Sequence, residues 1–451
     1  RSTAPKSNSQ LCPENRNLTV VAAGRDRHCA RRRFLSRKIT PMPKGRTEQG
    51  PMENVASRLS LAQAASGLTT GIYTPFFGAW LAWRGLSSAG IGLLISLGLF
   101  LRVPVAPFTG IIADARNDRR GMMMLLVAVM AAGYAAAFFV HPGWQLFAVA
   151  VPAAIATGAA SPLLESVSMR LSERFRFDYG HVRRWASGLF ITGNIVAGLA
   201  VSRWGLVVVV PGIAMAATLF LVAIYLLPVA VSPPPVGGFR ARLRITLGEA
   251  WELLRRPVFL LFLCSASLAQ GSHSFYYAFG GLHWRSLGFS GTEIGVLWTL
   301  GVFVEIGLMS ISLRLFRLLG PTGLLLLGGL GCAVRWTILA FDPPLPLVVI
   351  AQILHGTTFA LPHLGAMYFI FKAVPPRLAA TAQSLYAVCA LGAMQGLGTL
   401  ASGPLYPVYG GRTYLLMSAM GLGAMIFAFV LSRLWKGGFI SPMGEPMHDT
   451  I

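Results

Sequence analysis

The amino-acid sequence predicts an all-α integral membrane protein with twelve transmembrane helices in two pseudo-symmetric six-helix bundles. Three observations carry this prediction: a series of long apolar stretches between residues 59 and 435, an internal repeat and an uneven distribution of arginine. Crossing the hydrocarbon core of a bilayer takes about 20 mostly apolar residues. In this chain 54% of the residues are hydrophobic and only 12% are charged, which is not the composition of a water-soluble domain.

The apolar stretches define the predicted helices in chain order. The first six are Leu59–Trp80, Gly90–Ala113, Met122–Val140, Gln145–Leu171, Trp185–Val201 and Leu206–Val229. The second six are Pro257–Gly281, Ile294–Phe316, Gly323–Phe341, Leu345–Phe371, Thr381–Leu405 and Tyr414–Trp435. Proline and glycine between the two sets break the hydrophobicity, as in a linker.

Five segments follow from this division. The predicted domains are a disordered basic tail (1–58), a first bundle (59–230), a cytoplasmic linker (231–256), a second bundle (257–436) and a cytoplasmic C-terminal tail (437–451). The favoured interpretation of the basic tail is that the start of the protein was assigned too far upstream and that translation begins near Met52. The alternative is a tail that contacts anionic lipid.

Basic residues alternate between the two sides of the predicted membrane. Arginine and lysine crowd the turns on one side, and the opposite turns hold only Arg84, Arg203, Arg285 and Arg412. We call these the arginine-rich side and the arginine-poor side. The asymmetry follows the positive-inside rule and places both termini in the cytoplasm. The net charge of +22 therefore indicates topology, and nucleic-acid binding is not expected because the basic residues form no continuous face.

The second and eighth predicted helices are copies of each other. Ile91–Leu94 and Leu97–Gly98 align with Ile294–Leu297 and Leu300–Gly301 at one constant offset, and each set follows a Trp-Arg pair. Parallel six-helix repeats joined by a cytoplasmic linker are the halves of a major facilitator, where the substrate binds between the halves near the middle of the membrane. The repeat therefore predicts a transporter with the major facilitator fold.

The turn between the second and third predicted helices resembles the facilitator signature of a glycine, an aspartate four residues later and then basic residues. We expect the glycine to permit a close helix contact and the aspartate to pair with arginine or to cap the next helix. The predicted conformational latch consists of Gly110, Asp114, Arg116, Arg119 and Arg120. The alternative is an ordinary charged turn.

Few charged residues lie inside the predicted helices. A charge at the bilayer centre costs about 2.5–3.5 kcal/mol on insertion scales, so such residues are expected to be functional. Glu165 and Glu305 are the acids well inside the helices, and His355 and His363 add titratable groups on the tenth helix. We predict that these four residues couple transport to protons.

Polar residues recur at helical spacing on several of the predicted helices. Gln352, His355, Phe359 and His363 fall within one sector of the tenth helix. Interior arginines suit an anionic substrate and aromatic rings suit an aromatic one. Hydrogen bonding between neighbouring helices is the alternative role. The predicted substrate-binding residues are Arg102, Arg183, Gln63, Thr70, Tyr73, Asn194, Gln270, His273, Tyr277, Trp298, Gln352, Phe359 and Tyr386.

Four segments, in the same order, resemble the phenylpropionate permease family of major facilitators. They are Asp178–Ser187, Gly295–Glu305, Val334–Trp336 and Gln352–Leu364. The resemblance implies a proton-linked importer of an aromatic carboxylate, such as 3-phenylpropionate, in the bacterial inner membrane. It also implies kinship with the lactose permease type of symporter. That type couples an arginine on helix 9 to ionisable groups on helix 10, which makes Arg335 with His355 a candidate coupling pair.

We therefore expect a multi-pass, monomeric transporter in the lipid bilayer that works by alternating access on a small-molecule substrate and protons. No cofactor or metal is expected. The alternatives are a proton symporter for a sugar or a nucleoside, an exporter, or a membrane-embedded enzyme. The enzyme is disfavoured because the sequence holds no serine hydrolase, zinc protease or phosphate-binding motif.

Overall fold

The computed structural model describes residues 49–228 and 239–440, with side chains described for 54–228 and 245–440. Its regular elements within these ranges are all helices. The first half consists of α1 (Gln49–Trp83), α2 (Ser88–Ala115), α3 (Arg119–Phe139), α4 (Trp144–Phe175), α5 (Tyr179–Trp204) and α6 (Val209–Tyr225). A connecting helix, α7 (Phe239–Leu254), follows.

The second half begins at Pro257, after the two residues that follow α7. It consists of α8 (Pro257–Gly271), α9 (Ser274–Ser286), α10 (Gly291–Ser310), α11 (Ser312–Leu339), α12 (Leu345–Ile353), α13 (His355–Ala373), α14 (Ala379–Tyr386), α15 (Gln395–Tyr409) and α16 (Tyr414–Leu434). A π-helical stretch, Ala387–Met394, joins α14 to α15.

Ten helices in the described part of the chain are long and apolar enough to cross a membrane. The last of these, Pro376–Leu434, spans α14 to α16 and contains a tight 3-10 turn at Gly410–Thr413. The 35-residue α1 is not among the ten. The chain therefore forms an all-helical, multi-pass membrane protein.

α2, α3 and α10 begin where the sequence supplies a side-chain cap. Ser87 accepts a hydrogen bond from the amide of Gly90 at the start of α2, and Asp118 caps α3 in the same way. Ser290 and Glu293 form a reciprocal capping box at the start of α10. Such caps satisfy amides that have no partner inside the helix, so they fix where each helix starts.

Three predicted helices are divided in the structure. The seventh breaks between Gly271 and Ser274, and the tenth breaks at Leu354. The eighth ends at Ser310 rather than at Phe316, because the segment from Ser312 belongs to the next helical stretch. That stretch bends at Gly320, whose φ of +63° is unfavourable for residues with a Cβ atom.

The predicted boundaries of the tails also need correction. α1 begins at Gln49, inside the segment predicted to be disordered, and Val55 is already buried in the core. At the other end, Ile440 lies in the predicted C-terminal tail but packs against the second half, where its amide donates to the carbonyl of Ala373 at 2.7 Å. Predictions for residues 1–48, 229–238 and 441–451 fall outside the described residues.

The two halves meet backbone to backbone near the arginine-poor side. A Cβ atom added to Gly281 of α9 would lie 1.9 Å from the carbonyl oxygen of Pro75 in α1. One added to Gly198 of α5 would lie 2.5 Å from the carbonyl oxygen of Gly291 in α10. Only glycine permits such approaches. Near the arginine-rich side, by contrast, nothing described lies within 4 Å of a Cβ atom added to Gly307.

The internal repeat aligns Gly92 with Gly295, and each of these glycines lies where its helix contacts a helix of the other half. A Cβ atom added to Gly92 of α2 would lie 3.0 Å from the Cα of Gly403 in α15. Its repeat counterpart, Gly295 of α10, would place a Cβ atom 2.3 Å from the carbonyl oxygen of Asn194 in α5. Each copy of the repeat therefore packs against a helix of the other half.

Candidate functional site

Arg335 lies at the centre of a polar cluster inside the second half, and its side chain is completely buried. Its Nε donates to the carbonyl of Ala351 at 2.8 Å, and its Nη2 donates to Oε1 of Gln352 at 2.7 Å. Its Nη1 lies 3.0 Å from Nδ1 of His355 and 3.3 Å from the hydroxyl of Thr358. All these partners are neutral, so the guanidinium makes these four hydrogen bonds without a carboxylate.

Aromatic rings complete the surroundings of this guanidinium. Its carbon lies 4.7 Å from the ring centroid of Tyr276 and 4.2 Å from that of Trp336, which are distances of cation–π contacts. The Tyr276 hydroxyl accepts a hydrogen bond from Gln352 at 2.8 Å, and its ring stacks on Trp298 at 4.1 Å. Tyr276 was not among the predicted site residues, although it adjoins Tyr277.

The position of Arg335 determines the tautomer of His355. Because arginine can only donate, Nδ1 of His355 must accept, and the ring hydrogen then resides on Nε2. This Nε2 lies 4.0 Å from Oε2 of Glu305 on α10, whose side chain is 20% exposed. The predicted pair of Arg335 and His355 is thus in direct contact, with Glu305 next to it.

His273 lies at the break between α8 and α9 and contacts the same cluster. Its Nε2 is 3.1 Å from the hydroxyl of Thr358, and its ring centroid is 5.6 Å from that of His355 and 6.0 Å from that of Phe359. Tyr277 stacks against His273 at 5.6 Å. The two helix breaks therefore bring predicted residues of the seventh and tenth helices together.

A second charged group lies in the first half. Nε of Arg183 on α5 lies 2.9 Å from Oε1 of Glu165 on α4, and the hydroxyl of Tyr179 donates to the same carboxylate. The Arg183 side chain is 45% exposed and also interacts electrostatically with Glu305 of the other half. Arg183 therefore pairs directly with Glu165 and influences Glu305 only at longer range.

Arg102 reaches a backbone carbonyl of the other half, and its role in substrate binding stays a prediction. Its guanidinium donates to the carbonyl oxygen of Leu391, in the π-helical stretch of the other half. The side chain passes over Gly158 of α4, where an added Cβ atom would lie 2.6 Å from Cδ of Arg102. The π-helical stretch therefore supplies the acceptor that Arg102 reaches across the two halves.

Several predicted substrate residues make contacts typical of helix packing. Gln63 donates to the hydroxyl of Ser168 at 3.1 Å, and Thr70 donates to carbonyl groups of its own helix. Tyr73 stacks on Phe77 at 4.6 Å. These contacts agree with the alternative role that the sequence left open.

The remaining predicted residues lie in three places. Gln270 donates to the carbonyl of Phe359 at 3.3 Å. His363 lies one turn further along α13, with Nδ1 3.3 Å from the hydroxyl of Tyr386. Asn194 is completely buried between α5 and α10, and its side chain has no hydrogen-bond partner in the described part of the chain.

The predicted latch is only partly assembled as expected. Asp114 pairs with Arg119 at 2.7 Å, and Arg119 also donates to Ser166 of α4. Arg120 donates to the carbonyl of Tyr225 in α6 and does not contact Asp114. The expectation for Gly110 is wrong, since no described atom lies within 4 Å of an added Cβ atom. The helix cap comes from Asp118 instead.

No group of three or more His, Cys, Asp or Glu among the described residues is placed to hold a metal ion.

The fold is similar to that of solved transporters. A crystal structure of the nucleoside transporter NupG aligns with a TM-score of 0.72 at 18% identity, over 85% of this chain and all of that one. This likeness shows that the chain has the same helical membrane fold as that solved structure.

The chain belongs to the MFS_1 like family, whose model matches residues 68–416. It is 31% identical over 361 residues to a protein of Escherichia coli K12 named as a probable 3-phenylpropionic acid transporter, covering 79% of this chain and 92% of that protein. It is also 23% identical over 374 residues to the uncharacterized transporter YwbF of Bacillus subtilis 168, covering 82% and 91% of the two chains.

Proposed function

We propose that the protein is a proton-coupled importer of a small aromatic carboxylate such as 3-phenylpropionate, and that it works by alternating access. The observation that carries this proposal is the position of Glu305, beside a neutral His355 and within electrostatic range of Arg183 from the other half. The protonation of an acid in this position depends both on the pH and on how the two halves are arranged. The name of the Escherichia coli relative supports the substrate class.

The proposed architecture has twelve membrane-crossing helices in two pseudo-symmetric six-helix bundles. Counting α1 as a crossing and separating α16 from α14–α15 at Gly410–Thr413 raises the ten candidates to twelve, with α8–α9 and α12–α13 each forming one divided crossing. The arginine-rich side faces the cytoplasm of a bacterium, both termini lie there, and the protein acts as a monomer.

Charge balance gives a mechanism for coupling the proton to the substrate. When Glu305 is ionised, it competes with a substrate carboxylate for Arg183. When Glu305 is protonated, this competition ends, and the anion competes for Arg183 only with Glu165, which lies 2.9 Å from it. One proton carried with one monoanion moves no net charge, so only the pH gradient drives uptake, at about 1.4 kcal/mol per pH unit.

The residues of the Arg335 cluster position this acid. Arg335 keeps the ring hydrogen of His355 on Nε2, where it faces Glu305. His355 therefore acts as a hydrogen-bond donor to the ionised carboxylate as the two approach each other. The aromatic rings of Tyr277 and Phe359 lie beside His273 and provide the surface for an aromatic substrate.

Uptake by proteoliposomes tests this function. Labelled 3-phenylpropionate should accumulate about tenfold per pH unit of imposed gradient, as expected for one proton per anion. Glu305→Gln should abolish accumulation but retain counterflow, because exchange needs no net proton movement. Glu293→Gln is the matched control, since Glu293 only caps α10. Uptake that does not respond to the gradient would disprove proton coupling, and stronger competition by a sugar or a nucleoside would disprove the substrate class.

A further inference from the structure

The connecting helix α7 is docked on the second half through one face. Oε1 and Oε2 of Glu252 accept hydrogen bonds from Arg377 at 2.6 and 3.0 Å, and Glu249 accepts one from Thr381. Leu253 on the same face is completely buried. Both acidic residues of α7 are therefore turned toward the protein.

The opposite face of α7 carries apolar side chains that are largely exposed in the described part of the chain. Leu247 is 60% exposed and Trp251 is 59% exposed. Arg255 follows at the same four-residue spacing, so the three side chains form one stripe. The guanidinium carbon of Arg255 lies 5.0 Å from the Trp251 ring centroid. Tryptophan and arginine together are typical of helices that lie in the interface of a membrane.

The position of α7 along the chain places this stripe near the membrane surface. Only two residues separate the end of α7 at Leu254 from Pro257, where a helix of membrane-crossing length begins. The charge of the segment is also uneven, because the sequence from 239 to 256 contains five arginines and two glutamates; one of these arginines, Arg256, is buried and pairs with Glu252 at 2.6 Å. With both glutamates bound to the protein, the outward stripe is complementary to negative charge.

We propose that the stripe of Leu247, Trp251 and Arg255 binds the headgroup region of an anionic phospholipid surface. The two apolar side chains enter the interface, and the arginine contacts the phosphate groups. This anchors the connection between the two halves to the lipid. The inference rests on α7 alone and does not depend on the identity of the transported substrate.

Hydrogen–deuterium exchange of the full-length protein tests the proposal. The protein is placed in nanodiscs of phosphatidylcholine alone or of phosphatidylcholine with phosphatidylglycerol, and exchange is followed for the peptide covering 245–254. We expect exchange in the phosphatidylglycerol discs to be at least about fivefold slower, which is the factor for a single arginine near an anionic surface. Added salt should reduce the difference.

Variants separate lipid binding from a general effect on the fold. Arg255→Gln should remove the preference for phosphatidylglycerol, and Leu247→Ser with Trp251→Ser should remove the protection in both discs. Trp204→Ser is the matched control, because Trp204 is 64% exposed at the arginine-poor side, and it should leave exchange of α7 unchanged. Equal exchange in the two lipids would overturn the proposal. So would equal protection in detergent, which would mean that another part of the chain covers the stripe.

Discussion

The contact between Gly281 and Pro75 sets the closure of the two halves at the arginine-poor side. In Gly281→Ala the new Cβ atom would lie 1.9 Å from the Pro75 carbonyl oxygen, whereas ordinary contact begins at 3.4 Å, so α1 and α9 must separate by about 1.5 Å. Overpacking of this kind costs about 1–3 kcal/mol. If the opposite conformation separates the helices, the ratio of closed to open molecules falls by about 5- to 150-fold.

Distances between spin labels measure this shift. Labels at Trp83 and Ser286, which are exposed at the ends of α1 and α9, should report a new population at longer distance in Gly281→Ala. Gly78→Ala should act alike, since its Cβ atom would lie 1.9 Å from a carbonyl oxygen of α9. Gly307→Ala is the control, because its surroundings are open. An unchanged distance distribution in both test variants, or an equal change in the control, would refute the reasoning.

Three further substitutions test other contacts. Arg335→Lys keeps the charge but cannot supply the full set of donors, so thermal unfolding in detergent should show a loss of about 1–3 kcal/mol for a buried acceptor left unpaired. Gly158→Ala should displace the side chain of Arg102 from its carbonyl partner and change the transport rate without removing substrate binding, as measured by uptake and by equilibrium binding. Hydrogen bonds from Arg377 hold the pKa of Glu252 below its ordinary value of 4.5. Docking of α7 therefore stabilises the folded protein at pH values above 4.5, and this stabilisation is lost as the pH falls through the lower pKa that Glu252 has in the folded state. Glu252→Gln should make the thermal unfolding temperature less dependent on pH in this acidic range.

The sequence predicted those parts of the fold that depend on local pattern. The apolar stretches gave the order of the helices, and the aligned Gly92 and Gly295 have equivalent positions in the structure. Helical spacing placed His355 and Gln352 on one face, and both contact Arg335. These predictions succeed because a helix repeats its geometry at every turn.

Features that depend on contacts between helices were not predictable. The break beside His273 and the π-helical stretch arise from packing, and the partner of Arg102 is a backbone carbonyl, which has no signature in a sequence. Tyr276 was missed because the segment Pro257–Ser286 is 72% buried over its apolar window. Helical spacing identified Gln270, His273 and Tyr277 on this helix, but in a helix surrounded on all sides the residues outside that one face can also contact a site.

The hydrogen bonds of Arg335 also bear on how the chain enters the membrane during synthesis. Its acceptors lie on α12 and α13, which leave the ribosome after α11. Until they arrive, α11 carries a cation that costs about 2.5–3.5 kcal/mol at the bilayer centre. We therefore expect α11 to remain beside the insertion machinery until its successors have emerged, so that these three helices enter the lipid as one unit.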